Sequence, residues 1–409
     1  MKLTTTVAIV GGGPAGMVLG LLLARAGVEV TVLEKHADFL RDFRGDTVHP
    51  STLTLLDELG LGERFGKLPQ SKITEIAFPT EDDDHVVVAD LKRLRVRYPY
   101  IAMVPQWDLL DLLADAAAEE PGFTLLHNAE VTDVLRAKNG AVNGVRFVDR
   151  TTDEERELYA TLTVAADGRW SIVRAAAGLP VAEFPVPFDV WWFRLPRYPE
   201  DPQTALSPGL QDGEFALAIP REGYYQMAII GPKGTDERLR AAGIEKFRKR
   251  VGKAFPWAAE RTGEIASLDD VKHLDVRLNR LKQWHRPGLL CIGDAAHAMS
   301  PIGGVGINLA VQDAVAAATL LAKPLREGRL TTADLAKVRR RRWLPTVAVQ
   351  TMQRTMQQQL VAPVMRGEVA GPPEIAVRLM RRAPWLSYVP ARLIGIGFRP
   401  EHAPDFARR

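Results

Sequence analysis

The chain has 409 residues, 46% of them hydrophobic and 25% charged, with a formal net charge of +3. That balance excludes a disordered or low-complexity chain and leaves length for a large core in two intertwined domains. A charge so small for this length gives no reason to invoke nucleic acid, and the single cysteine, Cys291, excludes an intrachain disulfide.

The first predicted element is a short buried strand, Val7-Ala8-Ile9-Val10, running into Gly11-Gly12-Gly13-Pro14-Ala15-Gly16 and an apolar helix. In this G-x-G-x-x-G pattern Gly11 permits the tight turn and Gly13 leaves room for a pyrophosphate against N–H groups at the helix N-terminus. Gly16 lets the helix pack closely on the strand. With a strand so near residue 1, no signal or transit peptide is expected. The helix through Leu19 to Leu23 is broken by Arg25, and no apolar run reaches the roughly 18 to 20 residues of a membrane span. Cytoplasmic residence is the expectation. The next apolar run, Val28 to Leu33, ends at Glu34, whose carboxylate can accept hydrogen bonds from ribose hydroxyls and would repel a 2′-phosphate. Alone, this βαβ unit suits FAD, NAD or no ligand.

Further along, Ile73, Ile76 and Phe78 alternate, and Val86-Val87-Val88 follow the acidic turn Glu81 to Asp84. The turn lacks the spaced carbonyls and glycine of a calcium loop, so it reads as solvated and no metal is expected. An amphipathic helix is predicted from Pro105 to about Glu119, with Gln106 at its start. Val164-Ala165-Ala166 then forms a strand ending in Asp167-Gly168, followed by a helix start through Ser171 to Arg174. Residues 179 to 283 are rich in β-runs: Phe188 to Phe193, Glu214 to Pro220, Tyr224 to Ile230 and Val271 to Leu278. They predict an antiparallel sheet covered by one helix from about Asp236 to Phe255, with residues 71 to 100 adding strands to the same insert.

Leu289 to Ile292 is an apolar strand ending at Gly293-Asp294, which places a carboxylate where α/β sheets bind ligands. Asp294 either meets polyol hydroxyls or caps the Ala-Ala-His turn after it. After Pro301, Gly303-Gly304-Val305-Gly306 opens onto a helix from Ile307 to about Leu321. Glycines there bare N–H groups at the positive helix end, suited to the negative charge that a reduced flavin gathers around N1 and the C2 carbonyl. A helix from about Ala333 to Gln359 carries Arg339 to Arg342, read as solvated in preference to a polyanion site. Helices separated by Pro363, Pro372-Pro373, Pro384 and Pro390 are expected to clamp the domains.

Three motifs, Gly11/Gly13/Gly16 with Glu34, Asp167-Gly168…Ser171…Arg174, and Gly293-Asp294-Ala295-Ala296-His297 with Pro301…Asn308, come in the order of a known family. They resemble the single-component FAD-dependent aromatic hydroxylases, the para-hydroxybenzoate hydroxylase-like flavoprotein monooxygenases. Arg44-Gly45 and Gln106 agree with it, and the likeness runs to about residue 330. It implies an α/β fold: a Rossmann-like FAD-binding domain, an inserted antiparallel-sheet substrate domain and C-terminal helices. The expected domains are residues 1–70 plus 101–178 plus 284–330 for FAD, 71–100 plus 179–283 for substrate, and 331–409 for the helical region.

The resemblance further implies a cofactor-binding set of Gly11, Gly13, Ala15, Gly16, Glu34, Lys35, Arg44, Gln106, Val131, Asp167, Asp294, Gly304, Gly306, Ile307 and Asn308. Arg44 is expected near the isoalloxazine or ribityl chain, and Pro301 to place its carbonyl near the flavin C4a. These two are the catalytic candidates. Asp167 would serve both the pyrophosphate region and the nicotinamide coenzyme. Val305 is a departure, since many relatives carry Gln there.

The implied reaction hydroxylates a phenolic or polycyclic aromatic substrate with O2 and NADH or NADPH through a flavin C4a-hydroperoxide. No second glycine fingerprint chooses between the two coenzymes. Trp192, Tyr224 and Tyr98 are the substrate-facing candidates, and core packing explains each equally well. His297 reads as a structural residue behind the site, His49 as shaping a turn. Competing readings are a halogenase, from the partial Trp-x-Trp-x-Ile-Pro likeness of residues 191–196, a reductase of isoprenoid double bonds, and a non-catalytic flavin sensor acting through the helix near Arg339. Monomer and homodimer both stay open.

Overall fold

The structure, a computed structural model, describes residues 3–40, 47–79, 85–201, 207–211, 214–366 and 374–409. Arg44-Gly45, the acidic Glu81–Asp84 turn and Pro372-Pro373 lie outside these residues. In chain order the principal elements are β1 (Leu3–Val10), α1 (Pro14–Arg25), β2 (Val30–Leu33), α2 (Pro50–Glu58), α3 (Gln106–Ala118), β3 (Phe123–Leu126), β4 (Glu154–Ala165), β5 (Phe188–Pro196), β6 (Glu214–Pro220) and β7 (Tyr224–Pro232). They continue with α4 (Ile244–Ala254), β8 (Leu289–Cys291), α5 (Gly306–Arg326), α6 (Thr332–Met356) and α7 (Tyr388–Gly395).

The apolar runs of β1, β2 and β8 are buried along nearly their whole length, the signature of strands covered on both faces. Five parallel strands follow in the order β8-β4-β1-β2-β3. Their register matters more than their number. Val10 pairs with Leu33 and Ala165, and Ala165 pairs with Cys291, so β1, β2, β4 and β8 end on one line. Gly11 and Glu34 follow at once, and Asp167 and Gly293 one residue further on, so all three motifs open at one sheet edge.

A second, five-stranded antiparallel sheet contains residues 207–211, β6, β7, β5 and residues 272–274. Period-two alternation divides its side chains. Trp191, Phe193 and Leu195 pack under Phe247, Val251 and Ala254 of α4, whereas Phe188, Val190 and Trp192 face the other way.

Several expectations are corrected. The helix expected from 236 to 255 is two helices, Asp236–Ala241 and α4, because Gly243 turns the chain at φ 83°. The strand expected at 271–278 splits into Lys272–Leu274, paired with β5, and Leu278–Leu281, paired with Val181–Phe184. Residues 71–100 do not extend the insert's sheet: Ser71–Ile73 pairs with Ile101–Met103, and Glu75–Pro79 with His85–Asp90. They join the larger sheet by packing, with Ile73, Ile101 and Met103 clustered against Ile219.

Pro390 lies inside α7 and Pro363 inside Ala362–Met365 rather than between helices, since a first turn needs no N–H from proline. Contrary to expectation, residues 302–326 are long and apolar enough to cross a bilayer by length and composition, and 72% of that apolar window is buried inside the protein. The burial makes α5 a core helix, packed between α1 and α6.

Candidate active site

The first glycines divide their work as their spacing dictates. Gly11 adopts φ 105°, and a Cβ on it would lie 2.5 Å from the Ala166 carbonyl oxygen. A Cβ on Gly16 would lie 2.0 Å from the Gly11 oxygen, so both positions are closed by backbone. Gly13 is the opposite case, for a Cβ there meets nothing within 4 Å. It opens onto the first N–H groups of α1, which need an acceptor, and this is the space a pyrophosphate requires. Ala15 is buried behind it against Gly293.

Glu34, 3% exposed, accepts from the Gly12 N–H at 3.0 Å and the His36 N–H at 3.0 Å. Two of its roughly four lone-pair sites are thus held by backbone, which fixes the carboxylate at the end of β2. Lys35 beside it is exposed. The Ala129 N–H donates to the Glu34 carbonyl at 2.8 Å and brings buried Val131 to the same corner.

At the second motif Asp167 accepts from the Val173 N–H at 3.2 Å, while its Oδ1 is buried with no partner among the described residues. Burial pushes its pKa up. A buried carboxylate oxygen without a donor is a position that a ligand hydroxyl or N–H fits. Ser171 caps the following turn by accepting from the Arg174 N–H at 3.0 Å. The Arg174 guanidinium donates to the carbonyls of Ala295, at 3.1 Å, and Arg169, at 2.8 Å. The second motif therefore holds the third.

Asp294 makes no capping bond in the turn Gly293–Ala295, which leaves its carboxylate half-buried with Arg169 at 3.5 Å.

Beyond Pro301 the chain turns tightly: the Gly304 N–H donates to the Pro301 carbonyl at 3.0 Å, and Gly303 and Gly304 take φ 79° and 63°. Gly304, Gly306 and Ile307 stay half-buried at the start of α5. The Gly304 carbonyl accepts from Thr47 Oγ1 at 2.8 Å and lies 3.0 Å from His49 Nε2. Burial lowers His49 to about 4.

The Asn308 Oδ1 accepts from Ser51 at 2.7 Å and Thr52 at 2.8 Å and joins α2 to α5. Val305 packs among Leu278, Met299, Leu309 and Val349, where an apolar residue is at home and a Gln would not be. Gln106 is half-buried at the first turn of α3.

Behind the third motif lies a charge network that the sequence reading missed. Asp313, fully buried in α5, accepts from the Gly293 N–H at 3.1 Å, lies 2.5 Å from His297 Nε2 and accepts from Arg342 at 2.9 Å. Arg342, 1% exposed, reaches Glu401 at 3.4 Å, and Arg341 also pairs with Glu401. Of residues 339–342 only Arg340 is exposed: 341 and 342 tie α6 to the C-terminus, and Arg339 stacks on Trp343. The available signal was an acid in the middle of an otherwise apolar helix.

The substrate candidates separate. Trp192 is half-buried on the sheet face opposite α4, in one cluster with Leu217, Ile230 and Ile302, the residue after Pro301. Tyr224 lies on that face with Arg194 4.9 Å above its ring. Tyr98 instead donates to Asp57 of α2 at 2.8 Å, and Arg97 pairs with the same carboxylate, so its hydroxyl serves packing. In the halogenase-like run, Trp191 is fully buried beneath α4 and donates to Asp236 at 2.7 Å, away from Trp192.

The model of the FAD binding domain family matches residues 4–351. The 6-methylpretetramide 4-monooxygenase of Streptomyces rimosus is 33% identical over 389 residues, 92% of this chain and 89% of that protein. The protoasukamycin 4-monooxygenase of Streptomyces nodosus subsp. asukaensis is 26% identical over 83% of this chain and 84% of that one. In fold, the OxyS anhydrotetracycline hydroxylase of Streptomyces rimosus superposes with a TM-score of 0.74 at 23% identity, covering 98% of this chain and 78% of that one.

Gly13→Val should leave thermal stability near that of the parent and lower copurified flavin sharply. Gly16→Ala should instead lower stability itself, because its methyl meets backbone. Arg342→Leu removes the guanidinium partner of the buried Asp313 and Glu401 carboxylates and should cost about 3–5 kcal/mol in denaturant unfolding at neutral pH. Burial alone would raise Asp313, but His297 and Arg342 together hold it below the usual carboxylate range. Its stabilisation is therefore complete above the unfolded value of about 3.9 and is lost as pH falls through the lower folded value. The gap between parent and variant should narrow below about pH 4.

Proposed function

The chain belongs to the FAD binding domain family and is an FAD-dependent aromatic monooxygenase, and on that premise we propose that it hydroxylates an extended, fused-ring phenol. One observation carries the substrate class. Trp192 pairs across the sheet with Ala228, and Ala228 with Leu217, all on the face that also packs Ile302 beside Pro301. Three neighbouring strands give an apolar breadth of roughly 10 Å, the width of several fused rings. At one end the strip turns polar, with Arg194 over Tyr224 and Arg221 holding Gln226 at 2.6 Å, a place to seat a phenolic oxygen. The 6-methylpretetramide and anhydrotetracycline named for the relatives support the same class.

Bound FAD supplies hydride acceptance from NADH or NADPH and the activation of O2 for transfer of one oxygen atom. The protein's part is positioning and electrostatics. Gly13 and the first turn of α1 hold the pyrophosphate, Glu34 the ribose, and Asp294 a polyol hydroxyl. The N-terminus of α5, entered through Gly304 and Gly306, stabilises negative charge on the reduced ring. Pro301 and Ile302 form the floor of the substrate space and the β5-β7-β6 face its roof, and their apolar surfaces exclude water from the reacting atoms. Arg44 is assigned to the flavin edge by its motif alone. A cytoplasmic setting suits a reaction that consumes NAD(P)H.

The test is NAD(P)H oxidation with a panel of single-ring and polycyclic phenols. Polycyclic phenols should stimulate it, and Trp192→Ala should raise their KM roughly tenfold, about 1.4 kcal/mol, with little change for single-ring phenols. Stimulation by single-ring phenols only would overturn the substrate class.

A further inference from the structure

The Gly304 carbonyl oxygen is gripped by two residues of one short stretch, Thr47 in the strand Thr47–Val48 and His49 at the N-cap of α2. Thr47 Oγ1 donates to it at 2.8 Å, and His49 Nε2 lies 3.0 Å from it. A carbonyl oxygen has two lone pairs, so both are filled. His49 is fully buried and burial lowers its pKa to about 4, so the ring is neutral near pH 7. Because a carbonyl only accepts, a hydrogen bond to Gly304 requires the tautomer that carries its proton on Nε2. The seat has no slack either: a Cβ on Gly304 would lie 2.9 Å from Thr47 Oγ1, and the backbone there is left-handed at φ 63°.

The consequence runs through one peptide plane. None of the described peptide bonds is cis, and in a planar trans peptide the C=O and N–H point in opposite directions. Fixing the Gly304 C=O therefore fixes the Val305 N–H on the other side of the loop. One residue later α5 begins, with its own N–H groups unsatisfied. The same stretch of chain supplies Ser51 and Thr52, which hold Asn308 in the first turn of α5. Residues 47–52 thus set the orientation of the whole loop-and-helix start.

We propose that Thr47 and His49 are positioning residues for the flavin, which hold the Gly304 peptide so that the loop and α5 present their N–H donors to the reduced ring. They favour the reduced, negatively charged cofactor over the oxidised one and so raise its reduction potential. The proposal rests on the FAD reading given above. Neither side chain touches the cofactor in this account; both act through the Gly304 oxygen.

The experiment measures FAD affinity and the two-electron midpoint potential of bound flavin for the parent, Thr47→Val, His49→Leu, their double variant, and the conservative Thr47→Ser and His49→Gln. The double variant should bind FAD but prefer the reduced form at least tenfold less than the parent does, a potential about 30 mV more negative. Thr47→Ser and His49→Gln keep a donor and should stay within about threefold of the parent. Should the double variant not fold, Thr47→Val against Thr47→Ser makes the same comparison with one hydrogen bond. Variants that bind FAD at the parent's potential would overturn the inference alone. So would an equal loss of affinity for both redox states, since that is what a merely structural role gives. A parent that takes up no FAD would overturn the functional reading, and this inference with it.

Discussion

The buried carboxylate of Asp313 is the constraint on which the rest of the structure depends. A charge at 0% exposure is tolerated only when it is paired and hydrogen-bonded, and Asp313 meets that condition through the Gly293 N–H, His297 and Arg342. Gly293 and His297 come from the turn after β8 and Arg342 from α6, so satisfying one carboxylate brings that turn, α5 and α6 together. Glu401 extends the requirement to the C-terminus by pairing with Arg341 and Arg342. From the opposite side Arg174 grips the Ala295 carbonyl. The Gly293–Ala295 turn, which presents Asp294, is held front and back.

That rigidity matters because the chemistry leaves little for side chains to do directly. The flavin performs the redox steps, and the protein must place it against substrate with the right charges nearby. The first glycine motif serves this by two opposite means. Gly11 and Gly16 are filled tight against backbone, whereas Gly13 faces open space. The antiparallel sheet supplies what the parallel sheet lacks, a broad apolar face, and its alternation sends Trp191 under α4 and Trp192 toward Ile302.

Much of this was legible in the sequence, and the reason is local stereochemistry. A glycine needed for a tight turn, a carboxylate at the end of an apolar strand and a glycine run before a helix are all set by neighbours in the chain. The strand register that brings the three motifs to one edge follows from burial of both sheet faces. What stayed hidden depends on distant pairing. Nothing near Arg342 announces Asp313, 29 positions away, and a run of four arginines reads as solvated until its partners are known. His49 looked like a turn former because the oxygen it serves is 255 positions on. Tyr98 and Tyr224 were indistinguishable as aromatic residues; their partners, Asp57 and Arg194, separate them. The break at Gly243 was readable in principle, since a glycine between two helical patterns is the usual place for a left-handed turn.

The central claim is that this architecture directs one atom of molecular oxygen onto an aromatic ring, and its most direct test is isotopic. The purified protein with NAD(P)H and a stimulating polycyclic phenol would be run under labelled O2, and in parallel in labelled water under ordinary O2. The account predicts a hydroxylated product carrying a single labelled oxygen in the first case and none in the second. Label arriving from water, or oxidation of NAD(P)H with no oxygen in the product, would contradict it.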